Sequence, residues 1–470
     1  LAGVAVGFVA GRFSSTYLLP ACVAALIAGL ALFAPHLCLY ALLFGLPVSV
    51  RFFLPNRSEV QVPSEPLIAA LVGAYALDRL IARARGRERP AYPLWAPLVF
   101  FAFGTAASVV QTPFPFASVK GVVRALTYQF LALPVFSLLR DRAAFLRAAR
   151  VGYTAAALAA LAMVPLLLSR LPDLGHTRAY RGTLFTNYSV YGSYVSVFLL
   201  PLLARWLFDT TRFNRAGHFA LLGLFGVAML LCWSRGAWLS LVVAAAFLLA
   251  HRAPAGSGRK WAIFALAVAG ALLLVLVVPA TTTAFVGRLA TLTDPDYASN
   301  RTRILRAGFA LLLFARSPIL GSGYGTFALL YPNEPFLGEN ARYQMGSHNE
   351  HLQVLAETGL LGFVGWVWLN GAFFVHGFRL VRRLQDPFWR SATLGLMAYE
   401  IALLMHFAVG NFLAGDAIAV PYWFAFGALP AVEAVAASER FAASSGGLPP
   451  LDSGPYDRGN REGGVWTSPS

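Results

Sequence analysis

Residues 353–376 read QVLAETGLLGFVGWVWLNGAFFVH. One carboxylate, Glu357, interrupts an otherwise uncharged run. The run exceeds the ~20 residues with which a helix crosses a hydrocarbon core about 30 Å thick. Runs of this kind recur along the chain, near 1–12 (a short one), 17–34, 36–53, 64–80, 94–111, 120–139, 146–169, 188–207, 218–232, 236–251, 261–280, 391–410 and 417–436. They predict an all-α polytopic membrane protein with about thirteen or fourteen transmembrane helices. The alternating strands of a membrane barrel are absent from the pattern.

Composition agrees. The chain is 58% hydrophobic and 12% charged, against about 25% charged in a soluble domain. Its formal net charge is +16. In a soluble protein that surplus would point to nucleic acid; here membrane topology accounts for it, because basic loops stay on the cytoplasmic side. Cys22, Cys38 and Cys232 all fall in apolar runs, which is neither a disulfide framework nor a metal site. No cleavable leader with a basic n-region is read at the start.

Just before the quoted run lies the one long polar segment between two apolar ones, Thr281 to Glu350. It carries Arg288, Arg301, Arg303, Arg306, Arg316 and Arg342, the turn-rich run Ser317-Pro318-Ile319-Leu320-Gly321-Ser322-Gly323-Tyr324-Gly325, and His348-Asn349-Glu350-His351 at its end. Loops of this length within compact proteins are usually functional. A helix is expected over 301–315, capped by Asn300 or Ser299, with Leu305, Phe309, Leu312 and Leu313 on one face. The chain thus divides into N-terminal spans (1–280), a partly helical periplasmic loop (281–352), C-terminal spans (353–436) and a Gly/Ser/Pro-rich tail (437–470) expected to be a disordered cytoplasmic extension.

Charge sets the orientation. Arg79, Arg83, Arg85, Arg87 and Arg89; Arg140, Arg142, Arg147 and Arg150; Arg212 and Arg215; Arg252, Arg259 and Lys260; and Arg379, Arg382, Arg383 and Arg390 all fall on one side when spans are counted alternately. The positive-inside rule makes that side cytoplasmic. In the second half of the chain the opposite face then receives 170–186, the turn at Ser234-Arg235-Gly236, the long loop, and the turn from Asn411 to Asp416. Three of these carry arginine where topology disfavours it, and an anionic ligand is the simplest reason.

Several side chains on that face could carry chemistry. The imidazole of His348 can accept a proton from a sugar hydroxyl; equally, His348 or Asn349 can cap the next helix. Glu350 is a rival base, and His351 reads as structural. Arg235 either grips phosphate oxygens with its planar fork or snorkels to headgroups. Arg181, Arg301 and Arg303 are further outer-face arginines, each of which solvation alone would explain. Arg124 sits within an apolar run and needs a partner or a wet cavity. Asp294-Pro295-Asp296 could hold a divalent metal, but reads first as a turn. No P-loop, paired metal-ligand motif, Ser-His-Asp signature or dinucleotide fingerprint is present, and no cofactor is expected.

The run Trp233-Ser234-Arg235-Gly236-Ala237-Trp238, the run from Ser317 to Phe327, and His348-Asn349-Glu350-His351-Leu352 followed by Glu357-Thr358-Gly359-Leu360-Leu361-Gly362 together resemble the bacterial O-antigen ligase and O-antigen polymerase superfamily. The resemblance covers roughly Arg181 to Gly362. It implies a metal-independent, inverting glycosyltransferase of the inner membrane with its site facing the periplasm. The donor would be a glycan on undecaprenyl diphosphate, and the acceptor lipid A–core or a second lipid-linked glycan. The family's essential histidine maps onto His348. Its two essential arginines map onto Arg235 and onto Arg301, with Arg303 as the alternative because Leu305 replaces the usual tryptophan. Arg181 resembles a further recurrent arginine, and Asn349 and Glu350 are expected to bind diphosphate or glycan. Protein glycosylation and small-anion transport are the alternatives. Transport predicts ionisable groups at the midplane, where only Arg124, Glu400 and His406 stand out.

Overall fold

The computed structural model describes residues 15–53, 59–170, 177–185, 187–209, 215–251, 298–333 and 346–444. The expected spans at 1–12 and 261–280, the Asp294-Pro295-Asp296 turn and most of the tail fall outside them. The helices longer than one turn are α1 Ser15–Phe33, α2 Pro35–Gly45, α3 Ser64–Ala84, α4 Trp95–Ala107, α5 Pro115–Phe130, α6 Ala132–Leu138, α7 Arg142–Ser169, α8 Tyr188–Phe208, α9 Arg215–Leu231, α10 Arg235–Ala250, α11 Ala298–Arg316, α12 Glu350–Arg383, α13 Pro387–Phe407 and α14 Asp416–Ser444. Five helical stretches are long and apolar enough to cross a membrane: Pro115–Leu138, Arg142–Ser169, Tyr188–Phe208, Glu350–Arg383 and Asp416–Phe441. Five shorter apolar helices accompany them among the described residues. The chain is an all-α polytopic membrane protein.

Two expected spans are altered. The run 36–53 is helical only to Gly45; a 3₁₀ turn at Leu46–Val48 follows, and β1 (Val50–Phe53) then pairs antiparallel with β2 (Glu59–Val62). Pro47 lacks the amide a helix needs, and the strand-prone residues after it pair instead. The second change is in α12. Gly359, at φ 61° and ψ −165°, breaks the helix one-third of the way along, a backbone state open essentially to glycine alone.

Helix starts follow the side chains that can cap them. Asp141 accepts from Ala144 N, Asn187 from Ser189 and Val190 N, Ser234 from Ala237 N, Asn349 from Leu352 N and Asp386 from Phe388 N. Each such cap is worth about 1 kcal/mol. Between the ends, small residues allow close helix approach: a Cβ on Gly104 of α4 would lie 2.6 Å from Gly362 of α12.

The described basic connections 79–90, 140–150 and 379–390 gather at one end of the bundle. There Arg142 bonds Glu439 at 2.9 Å and lies 3.9 Å from Asp386, Arg205 lies over Phe388, and Arg383 approaches Glu433. At the other end, Tyr180 OH donates to Cys232 O (3.2 Å), Ser189 Oγ meets Ser234 Oγ (3.4 Å), and Glu350 receives the amides of Phe412 and Leu413. The sequence-distant segments of the expected outer face therefore converge. Arg124 has the partners its burial demands: its Nε donates to Glu65 at 2.6 Å and its Nη2 lies 3.6 Å from Asp416.

Candidate active site

The site is built on α10, α11 and the start of α12, closed from below by the turn between α13 and α14. The expected loop helix forms as α11. Phe309, Ala310 and Leu313 bury against Phe327, Tyr331 and Ala356, with Leu305 and Leu312 at the margin.

The loop is held in place where its glycine-rich run locks onto α12. Leu360 N donates to Pro318 O (2.7 Å), Leu361 N to Ile319 O (3.1 Å), Ser322 N to Ala356 O (3.0 Å) and Gly323 N to Glu357 O (3.0 Å). These bonds use the backbone groups that the break at Gly359 releases from α12. The Glu357 carboxylate, buried, accepts from Gly325 N (2.9 Å) and Phe327 N (3.0 Å). Glu357 is thus a backbone ligand that fixes the glycine-rich turn.

His348 sits where the loop returns to α12. It has φ 58°; apart from Trp233 (φ 54°), it is the only described non-glycine residue with positive φ. Both residues adjoin functional candidates, Trp233 being two residues before Arg235. The His348 amide donates to Asn411 Oδ1 (2.5 Å). Ser347 Oγ donates to Asn349 O (2.5 Å) and accepts from Asn349 N (3.1 Å) and Asn411 Nδ2 (3.3 Å). The main chain around His348 is therefore held from every side, while no hydrogen bond among the described residues engages its ring. Burial, and then the positive fields of Arg306 and Arg303, hold the imidazole down at about 4. It is neutral at physiological pH and able to accept a proton.

Arg303 and Arg306 lie on one face of α11, three residues apart. Arg306 is only 2% exposed; its Nη1 donates to Gly346 O (3.1 Å) and its guanidinium lies 5.3 Å from the Tyr331 ring centre. The Nε atoms of both arginines are buried without a hydrogen-bond partner among the described residues. Arg303 also lies within electrostatic reach of His406. That histidine packs against Gly236, where a Cβ would meet its ring at 2.7 Å, so the start of α10, with half-buried Arg235 in its first turn, borders the same region.

The other expected residues are placed differently. Arg301 stands exposed on the first turn of α11, two residues and thus about 200° around the helix from Arg303. Arg181 is exposed on the 177–185 segment, and its carbonyl accepts from Arg170. The amide oxygen of Asn349 is committed to capping Leu352 N (3.0 Å). Glu350 is 5% exposed and committed to the amides of Phe412 (2.8 Å) and Leu413 (3.2 Å). His351 is structural: Nε2 donates to Leu404 O (2.9 Å) and Nδ1 accepts from Trp366 (3.3 Å). Arg306 and Asn411 join the site without a role expected from sequence. The three-residue spacing from Arg303 could have marked Arg306; nothing local marks Asn411.

The arrangement offers a neutral imidazole beside fixed positive charge, suited to deprotonating a hydroxyl near a phosphate-bearing group. Among the described residues, no three His, Cys, Asp or Glu side chains cluster as metal ligands. Residues 219–367 are similar to the family model for O-antigen ligase. The matched segment takes in Arg235, α11, His348 and the Gly359 break. No curated protein matches the chain.

Proposed function

We propose that this chain belongs to the O-antigen ligase and polymerase superfamily and moves a glycan from undecaprenyl diphosphate to an acceptor hydroxyl at the periplasmic face of the inner membrane. The observation that carries the reading is the convergence of His348 with the arginine face of α11, where buried Arg306 bonds the carbonyl of Gly346 (3.1 Å) and Arg306 and Arg303 lie within electrostatic reach of the imidazole, at the end of the bundle away from the described basic connections. The positive-inside rule supports assigning that end to the periplasm.

In this reading His348 takes the proton of the acceptor hydroxyl as its oxygen attacks the anomeric carbon. The bond from that carbon to the diphosphate oxygen breaks, and the leaving diphosphate keeps the electron pair. Attack from the face opposite the leaving group inverts the anomeric centre. Arg235 and Arg303, with Arg301 and Arg181 further out, bind the diphosphate and stabilise the charge that develops on it. Arginine supplies that positive charge, so the reading is metal-independent.

The test is a transfer assay with purified protein, undecaprenyl-diphosphate-linked glycan and EDTA. One sample contains lipid A–core and the other no added acceptor. Glycan on lipid A–core identifies a ligase; a ladder of longer lipid-linked glycans identifies a polymerase. Intact substrates in both samples, in EDTA and with divalent metal restored, would overturn the proposal.

A further inference from the structure

We propose that Asn411, from the turn between α13 and α14, is the residue that positions His348 for catalysis. The inference rests on His348 being the general base. Its observations are independent of that: they concern the main chain, not the imidazole.

A left-handed backbone at a non-glycine residue persists only where its surroundings over-determine it. Ser347 and Asn349 brace each other locally and Gln353 Oε1 takes the Ser347 amide (3.0 Å), but the His348 amide itself is held by a carboxamide from a distant segment. Asn411 Oδ1 takes the His348 amide at 2.5 Å, and Nδ2 donates to Ser347 Oγ at 3.3 Å. Gly346 leaves room for it, since a Cβ there would lie 2.6 Å from Asn411 Oδ1. One side chain, 63 residues away in sequence, therefore contacts His348 and the residue before it.

The turn carrying Asn411 is itself anchored. Glu350 accepts from the amides of Phe412 and Leu413. Ala414 O accepts from Gln61 Nε2 (2.9 Å) and Arg124 Nη2 (3.1 Å), and Asp416 N donates to Gln61 Oε1 (3.1 Å). The Asp416 carboxylate gathers Ser49 Oγ (3.1 Å), Ser64, Tyr128 and Arg124. The N-terminal hairpin and α3 and α5 thus hold, through Asn411, the angle at which His348 enters the site.

Four proteins decide the matter: wild type, Asn411→Ala, Asn411→Asp and His348→Ala. Each is assayed for kcat, KM and pH–rate profile with undecaprenyl-diphosphate-linked glycan, and for Tm in detergent. Asn411→Ala should lower kcat by about 10- to 100-fold, as misplacement of a reacting group by about 1 Å does. Its KM for the donor should stay within about twofold, because uniform binding is not lost. Asn411→Asp keeps an acceptor for the His348 amide and should recover much of kcat. Its added negative charge favours the imidazolium, so the acid limb should move to higher pH. Wild-type kcat in Asn411→Ala beside an inactive His348→Ala would overturn the inference alone, as would an Asp variant no better than Ala. An active His348→Ala would overturn the base assignment itself. Should Asn411→Ala fail to fold, the kcat and pH profile of Asn411→Asp distinguish the same outcomes.

Discussion

Gly321 and Gly359 face each other backbone to backbone. A Cβ on Gly321 would lie 2.5 Å from Gly359 N, and one on Gly359 would lie 2.6 Å from Gly321 N. Both have positive φ, 75° and 61°. This contact is where the glycine-rich turn of the loop meets the break in α12, and four main-chain hydrogen bonds between 318–323 and 356–361 surround it. A side chain at either position would separate the two segments.

Gly359→Ala should therefore destabilise the protein by about 1–3 kcal/mol from backbone strain alone, with a further loss from the blocked contact. Gly371, later in the same helix with nothing within 4 Å of its would-be Cβ, is the control, and Gly371→Ala should be tolerated. Thermal unfolding in detergent compares the two; equal Tm values would show that the lock contributes little.

The two histidines at the start of α12 should respond in opposite ways. His348→Ala should abolish transfer yet leave Tm near wild type, because its ring holds no described partner. His351→Ala removes a ring bonded at both nitrogens and packed near Trp366 and Phe407. It should lower stability by about 1–3 kcal/mol while the folded fraction keeps activity. Activity normalised to folded protein separates the cases, and transfer by His348→Ala would remove it as the base.

Acid should act through His348. Its folded value of about 4 lies below the ~6.5 of an unfolded histidine. Between these values the unfolded chain binds more protons, so this group's contribution to stability declines as pH falls from 6.5 towards 4. Activity should hold near neutrality and fall as pH drops through about 4. Arg303→Gln removes one of the fields that favour the neutral ring, so the acid limb should shift upward. A pH–rate profile reads both effects, and a limb that stays put in Arg303→Gln would assign it to a different group.

Arg235→Lys should rescue Arg235→Ala poorly, because an ammonium does not reproduce the planar fork. Loss of a charge-assisted hydrogen bond predicts a fall in kcat/KM of about 10- to 100-fold. Arg303→Lys should behave likewise. Full activity in either lysine variant would reduce that arginine's role to charge balance.

Length and hydropathy sufficed to place most of the helices among the described residues, because the cost of apolar surface in water accumulates residue by residue along a run. Caps were equally local: Asn349 reaches an amide three residues on, and the spacing that puts Phe309 and Leu313 on one face of α11 is a property of the helix itself. The expected sidedness of the arginines also rests on counting along the chain. Other features required distant segments to meet. Arg301 and Arg303 open the same helix and the resemblance favours Arg301, yet packing leaves Arg301 exposed and brings Arg303 within electrostatic reach of His348 and His406. Glu350 reads in the sequence as a rival base, yet its carboxylate, like that of Glu357, is spent on backbone amides of another segment. Arg124 demanded a partner, and two came from Glu65 and Asp416, on different helices. Asn411 carries no local signal at all. Its role depends on hydrogen-bond direction and distance across a fold, and such geometry exists only once the segments have packed together.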